Sequence, residues 1–191
     1  EIIDHLTKSG IKKVALLTDS NTFGATGRDA LLAALPKIPI TISADEKYNT
    51  ADTDMTAQLT KIKGTDAQAV IVWGTNPGPA IIAKNMKQLA ITLPLYNSHG
   101  IANLSFITLA GDAANGVIFP AGKLLVADQL PDSDPQKAVL LQYKKDFEAK
   151  YGAGNANTFG GHAYDALTMV VKALGAVGAD KAKIRDYIEK N

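Results

Sequence analysis

The 191-residue chain contains no cysteine. That excludes disulfides, cysteine nucleophiles and thiolate metal sites, and it fits any compartment. An excess of one charge is also missing: 20 basic residues meet 19 acidic ones, for a net charge of +1, with no block of like sign. No nucleic-acid partner and no anionic membrane surface is therefore expected. The longest apolar runs fall far short of the roughly 20 residues a spanning helix needs, so membrane insertion is not expected either. Gly-x-Gly-x-x-Gly and the Walker sequence are absent, although "FGATG" holds Gly24 and Gly27, and a nucleotide-binding enzyme is not expected. Ser20 lacks a Gly-x-Ser-x-Gly context, and His5, His99 and His162 are scattered without metal-site spacing. No cofactor is called for. The chain starts without Met, mid-pattern, at "EIIDHLTKSG". The lack of a visible signal peptide therefore decides nothing about location.

What is present is a globular balance: 46% hydrophobic and 20% charged residues, enough for one domain or one and a fraction. The first two-thirds repeats one theme, a β-branched run, a polar break, then an apolar period near 3.6. "KKVALLT", "IPITISADEKY", "AQAVIVWG", "LPLYNSHG" and "ANGVIFPAG" read as five strands. "GATGRDALLAALPK", "DTDMTAQLTKIK", "PAIIAKNMKQLA" and "ANLSFITLAG" read as the helices between them, with Asp52 and Asp54 as candidate helix caps. This alternation predicts a Rossmann-like α/β fold: a five-stranded parallel sheet with helices on both faces. A strand such as "VIVW", buried on both sides, need not alternate, and Trp73 at its end reads as core.

After residue 122 the rhythm changes. "KLLVADQLPDSDP" reads as an extended connector. Three amphipathic helices follow in "QKAVLLQYKKDFEAKYG", "TFGGHAYDALTMVVKALGAVG" and "DKAKIRDYIEK", and no strand accompanies them. Their apolar faces need cover, so residues 136–191 are expected to pack on a second copy, on each other or on the rest of the chain.

In open parallel sheets, ligands sit outside the carboxyl ends of the strands. Here those ends open into "TDSNTFGATG", "GTNPGP" and "NSHG", all rich in small hydrogen-bonding residues, and two of them lead into helix N-termini that favour anions. Thr, Asn, Gly and Pro are also ordinary turn-formers, so each loop alone is equally well a turn. Three on one rim point to a site. His99, at the end of the fourth strand, is either a cap or a ligand contact; His162 reads as structural.

Taken in order, "KKVALLTDSNTFGATG", "YNTADTDMTAQLTKIKGTDAQAVIVWG", "LYNSHGIAN", "ANGVIFPAG" and "FGGHAYDALTMVVKAL" resemble the leucine/isoleucine/valine-type periplasmic binding proteins. These are the type I solute-binding receptors of branched-chain amino acid ABC transporters, and the resemblance runs over nearly the whole chain. It implies a periplasmic receptor, not an enzyme. Its partners are a small solute, an amino acid or a carboxylate, and an ABC transporter permease. It further implies that residues 1–122 form the C-terminal lobe, and that residues 123–191 are a connector and helices belonging to the N-terminal lobe. In amino-acid-binding members the loop after the third strand offers a Tyr, and the loop after the fourth an acidic residue that holds the ligand's ammonium. This chain has Thr75 or Asn76 at the first position and His99 at the second. A histidine cannot replace an anion, which favours a carboxylate or a less usual solute over an amino acid. The resemblance thus assigns ligand binding to Ser20, Phe23, Thr75, Asn76 and His99. The effector core of a LacI-type transcription regulator shares the fold and is the alternative; a signal peptide or a helix-turn-helix ahead of the chain separates the two.

Overall fold

The strand expected at residues 12–18 forms as β1 (Lys13–Asp19), and its side chains divide between two faces. The computed structural model describes residues 1–191. Val14 and Leu16 point to one side, with Ala69, Ile71 and Tyr96; Ala15 and Leu17 point to the other, with Val70, Val72 and Leu95. The first group is covered by Leu6 of α1 (Ile2–Lys8) and by Leu31 of α2 (Thr22–Ala34). The second is covered by Leu59 and Ile62 of α3 (Thr56–Lys63), Ile82 and Met86 of α4 (Gly78–Gln88), and Phe106 of α5 (Leu104–Ala110). A fully buried Leu or Ile side chain contributes about 1.5–3 kcal/mol, so both faces are strongly specified. With helices on both sides, β1 reads as a near-continuous apolar run.

The other strands are β2 (Thr41–Tyr48), β3 (Ala69–Trp73) and β4 (Leu95–Asn97). All pair in parallel, in the order β2-β1-β3-β4. The sheet has four strands, not the expected five. Of "ANGVIFPAG", only Ile118 reaches the sheet, through an isolated bridge to Tyr96. Its pairing is confined between Gly116, at φ +81, and Pro120, which has no N–H to extend the ladder.

Two further expectations are corrected. Asp54 does sit at the start of α3, accepting the Thr56 N–H at 2.8 Å, but Asp52 accepts the Asn49 N–H and closes a turn instead. The connector expected to be extended is wound as 3-10 turns over Lys123–Gln129, with a kink at Val126. Leu124 and Ala127, on either side of that kink, are both buried.

The chain forms two compact units, Glu1–Ala121 and Gly122–Asn191. The second contains α6 (Lys137–Tyr151), α7 (Thr158–Val177) and α8 (Lys181–Lys190), and no strand. Tyr143, Phe147 and Tyr151 line one face of α6, and Tyr143 also meets Tyr164 of α7 at a ring-centroid distance of 5.2 Å. Asn157 caps α7 and Asp180 caps α8. Leu167, Val170, Val171 and Leu174 of α7 remain exposed.

Candidate functional site

At the carboxyl ends of the strands, the apolar faces give way to buried polar residues: Thr18 and Asp19 on β1, Asn97 on β4, and Ser98 after it. Asp19 is 1% exposed, and its Oδ1 accepts the Asn21 N–H at 3.1 Å and the Thr50 hydroxyl at 2.7 Å. Asn21 in turn caps α2, its Oδ1 accepting the Gly24 N–H at 2.9 Å. One short segment therefore ends a strand, turns and starts a helix, using its own carboxylate and amide.

Tyr48 lies opposite Asp19 in the β1–β2 register and is buried. Burial, and then the nearby Asp19 carboxylate, push its phenol above the ordinary tyrosine range. The ring lies so close beneath the loop after β3 that a Cβ on either Gly74 or Gly78 would overlap it. Ser98 joins that loop to the next: its hydroxyl donates to the Gly74 carbonyl at 3.2 Å and accepts the Gly100 N–H at 3.2 Å. The two loops that carry Thr75, Asn76 and His99 are thus tied together from below.

Above this layer three rings converge. Phe23, at the start of α2, and Trp73, at the end of β3, lie 6.1 Å apart between centroids. His99 stands nearly perpendicular to both, at 5.5 Å from Phe23 and 6.3 Å from Trp73. Phe23 and Trp73 are half-buried and His99 is exposed, so the cluster forms one wall of the rim. Each separation falls within the range of favourable edge-to-face or tilted pairs.

Of the residues assigned from the sequence, the structure brings Phe23 and His99 into direct contact. Thr75 lies beside them, since a Cβ on Gly100 would meet both the Thr75 methyl and Phe23 Cε1 at 3.1 Å. Asn76 turns elsewhere, its amide donating to Asn103 Oδ1 at 3.3 Å and Ser105 Oγ at 3.1 Å. Ser20 is exposed, and its hydroxyl donates to Asn49 Oδ1 at 3.1 Å. A serine facing an amide oxygen, with no imidazole at hand, is not an activated nucleophile.

Trp73, read from the sequence as core, does pack half-buried against the apolar cluster on the α2 side, and its ring also belongs to this wall. Its position as the last residue of the strand was the available signal, because there the sheet face gives way to the rim. Gly27 supplies the room: a Cβ there would overlap the indole Nε1, Cδ1 and Cε2 atoms. His5, by contrast, is structural, with its Nδ1 2.9 Å from the Tyr96 hydroxyl.

The family described as "Periplasmic binding protein" matches residues 1–190. The Leu/Ile/Val-binding protein BraC3 of Rhizobium johnstonii is 30% identical over 108 residues, 56% of this chain and 29% of that protein. An extracellular ligand-binding receptor from Rhodopseudomonas palustris HaA2 superposes with a TM-score of 0.88 at 29% identity, covering 100% of this chain and 55% of the receptor. The branched-chain amino acid transporter substrate-binding protein LivJ of Streptococcus pneumoniae, solved with isoleucine, gives a TM-score of 0.79 at 25% identity, over 99% of this chain and 52% of LivJ. The chain thus spans about half the length of these solved relatives, and across almost all of its own length it belongs to the periplasmic binding protein family.

Proposed function

We propose that this chain is part of an extracytoplasmic solute-binding receptor that serves an ABC transporter and binds an amino acid or a small organic acid. In this reading residues 1–122 are one of two lobes, and residues 123–191 supply the connector and helices of the other. The solute is held against the rim formed by Phe23, Trp73, Thr75 and His99, and closure of the second lobe over it creates the form that a membrane permease recognises. The receptor works in the periplasm and performs no chemistry on its solute.

The observation that carries this reading is the rim itself. It is an aromatic wall with adjacent hydrogen-bonding groups at the carboxyl ends of parallel strands, where ligands bind in such sheets, in a chain of a binding-protein family. The exposed apolar stripe of α7 also fits a helix made to cover a second sheet. The test is a thermal-shift screen of the full-length receptor against amino acids and organic acids. A true solute at 100 times its Kd should stabilise the folded state by about 2.7 kcal/mol. Turnover of any stabilising solute, or stabilisation by none of either class, would count against the receptor reading.

A further inference from the structure

Resting on the receptor reading above, we infer that the solute carries both an aromatic ring and a carboxylate: an aryl carboxylate, not an aliphatic α-amino acid. The first observation is the shape of the wall. His99 stands edge to face against Phe23 and Trp73, which are tilted towards each other, with centroids 5.5 to 6.3 Å apart, so another ring can pack on the open side of the exposed His99. An aliphatic side chain gains only buried area there. A ring gains in addition about two- to tenfold in affinity for each well-placed aromatic pair.

The second observation is what this end of the sheet withholds. The wall residues Phe23, Trp73, Thr75 and His99 include no carboxylate, and Asp19, whose Oδ2 has no partner, is buried at 1% exposure. An α-ammonium placed against this wall therefore meets no anionic side chain among its four residues. A carboxylate meets the Thr75 hydroxyl and the His99 ring, neither of which makes a side-chain hydrogen bond within the chain, so both are free to donate.

The wall is also fixed in place, which favours a flat and rigid ligand. Trp73 is wedged against Gly27, and Phe23 and Thr75 close over Gly100.

The experiment uses the fact that Trp73 is the only tryptophan, so the ¹⁵N-labelled 191-residue chain has a single indole N–H resonance. Benzoate, cyclohexanecarboxylate and isoleucine are titrated in turn while that resonance is followed. Benzoate should shift it saturably, with a Kd at least about threefold lower than that of cyclohexanecarboxylate. Isoleucine should leave it in place, and Phe23→Leu should reduce the difference between the two acids. Equal binding of the two acids overturns the inference, as does an indole resonance that none of the three moves. Saturation by isoleucine with benzoate silent also overturns it, while leaving the receptor reading intact. That reading falls separately, in the thermal-shift screen of the full-length protein.

Discussion

Gly27 of α2 lies directly against the indole of Trp73, with no room between them for a Cβ. The helix can approach the end of β3 this closely only because position 27 lacks a side chain. Gly27→Ala should force the indole off its site, at a cost of about 1–3 kcal/mol for overpacking. Near-ultraviolet circular dichroism, which reports the single Trp, should change together with the urea midpoint. An unchanged spectrum and midpoint would show that the contact does not fix the ring.

Gly24, one turn earlier, faces backbone instead of a side chain. A Cβ there would overlap the Asp19 carbonyl, and a carbonyl in a buried strand cannot rotate away. Alanine improves helix propensity by about 1 kcal/mol over glycine, but the clash with backbone should outweigh that gain. Gly24→Ala should therefore be the more destabilising of the two glycine variants, as judged by urea denaturation. The opposite ranking would mean that α2 can slide along the sheet.

Asp66 links the two strands at one edge of the sheet, accepting from Lys13 of β1 and, at 2.7 Å, from the hydroxyl of Ser43 of β2. The Lys13 hydrogen bond, and then that of Ser43, hold its carboxyl below the usual carboxylate range. A folded-state pKa below the unfolded one adds stability that is present above the unfolded value, near 3.9, and is lost as pH falls through the folded value. Asp66→Asn should lower the denaturation midpoint at pH 7. The gap from the parent should close as pH drops below the carboxylate range. A gap that persists in strong acid would rule out the titration of Asp66 as its cause.

Much of this fold was legible because burial on both faces leaves a plain signature. "VALL" and "VIV" have no polar residue to place in water, so a covered parallel sheet is the economical reading of them. The missing fifth strand was not legible, because "GVIF" has the right composition and only the backbone at Gly116 and Pro120 curtails its pairing. That the loops carrying Phe23 and His99 share one rim followed from where parallel strands end, but the contact of the two rings did not. Nor did the inclusion of Trp73, since a terminal strand residue can face either core or rim and composition does not distinguish them. Tyr48 was equally hidden. Its place under Gly74 depends on the register of β2 against β1, a long-range property that no local pattern encodes.

The exposed face of α7 leads to a prediction about association. Leu167, Val171 and Leu174 are spaced to lie on one side of the helix and are 64%, 57% and 41% exposed. Buried apolar surface contributes about 25 cal/mol per Å², so a contiguous stripe of this kind favours any available cover. The 191-residue chain should self-associate with rising concentration in light scattering, and Leu167→Glu with Val171→Glu should return it to monomer. A monomer at all concentrations with α7 still helical would contradict this.

The last prediction concerns His99. Its side chain makes no hydrogen bond within the chain, and the ring packs edge to face against Phe23 and Trp73. If it donates a charge-assisted hydrogen bond to a solute carboxylate, that bond contributes about 1.5–3 kcal/mol, or roughly ten- to a hundredfold in affinity. Two variants separate this bond from the ring contacts. His99→Phe keeps an aromatic ring against Phe23 and Trp73 but has no donor; His99→Ala loses both. In the full-length receptor, calorimetry should show most of the affinity loss already in His99→Phe, with the melting temperature near that of the parent. His99→Ala should add the smaller loss of aromatic packing. If His99→Phe binds as tightly as the parent, the imidazole serves as a packing ring, and the carboxylate must find its donors at Thr75 or on the opposing lobe.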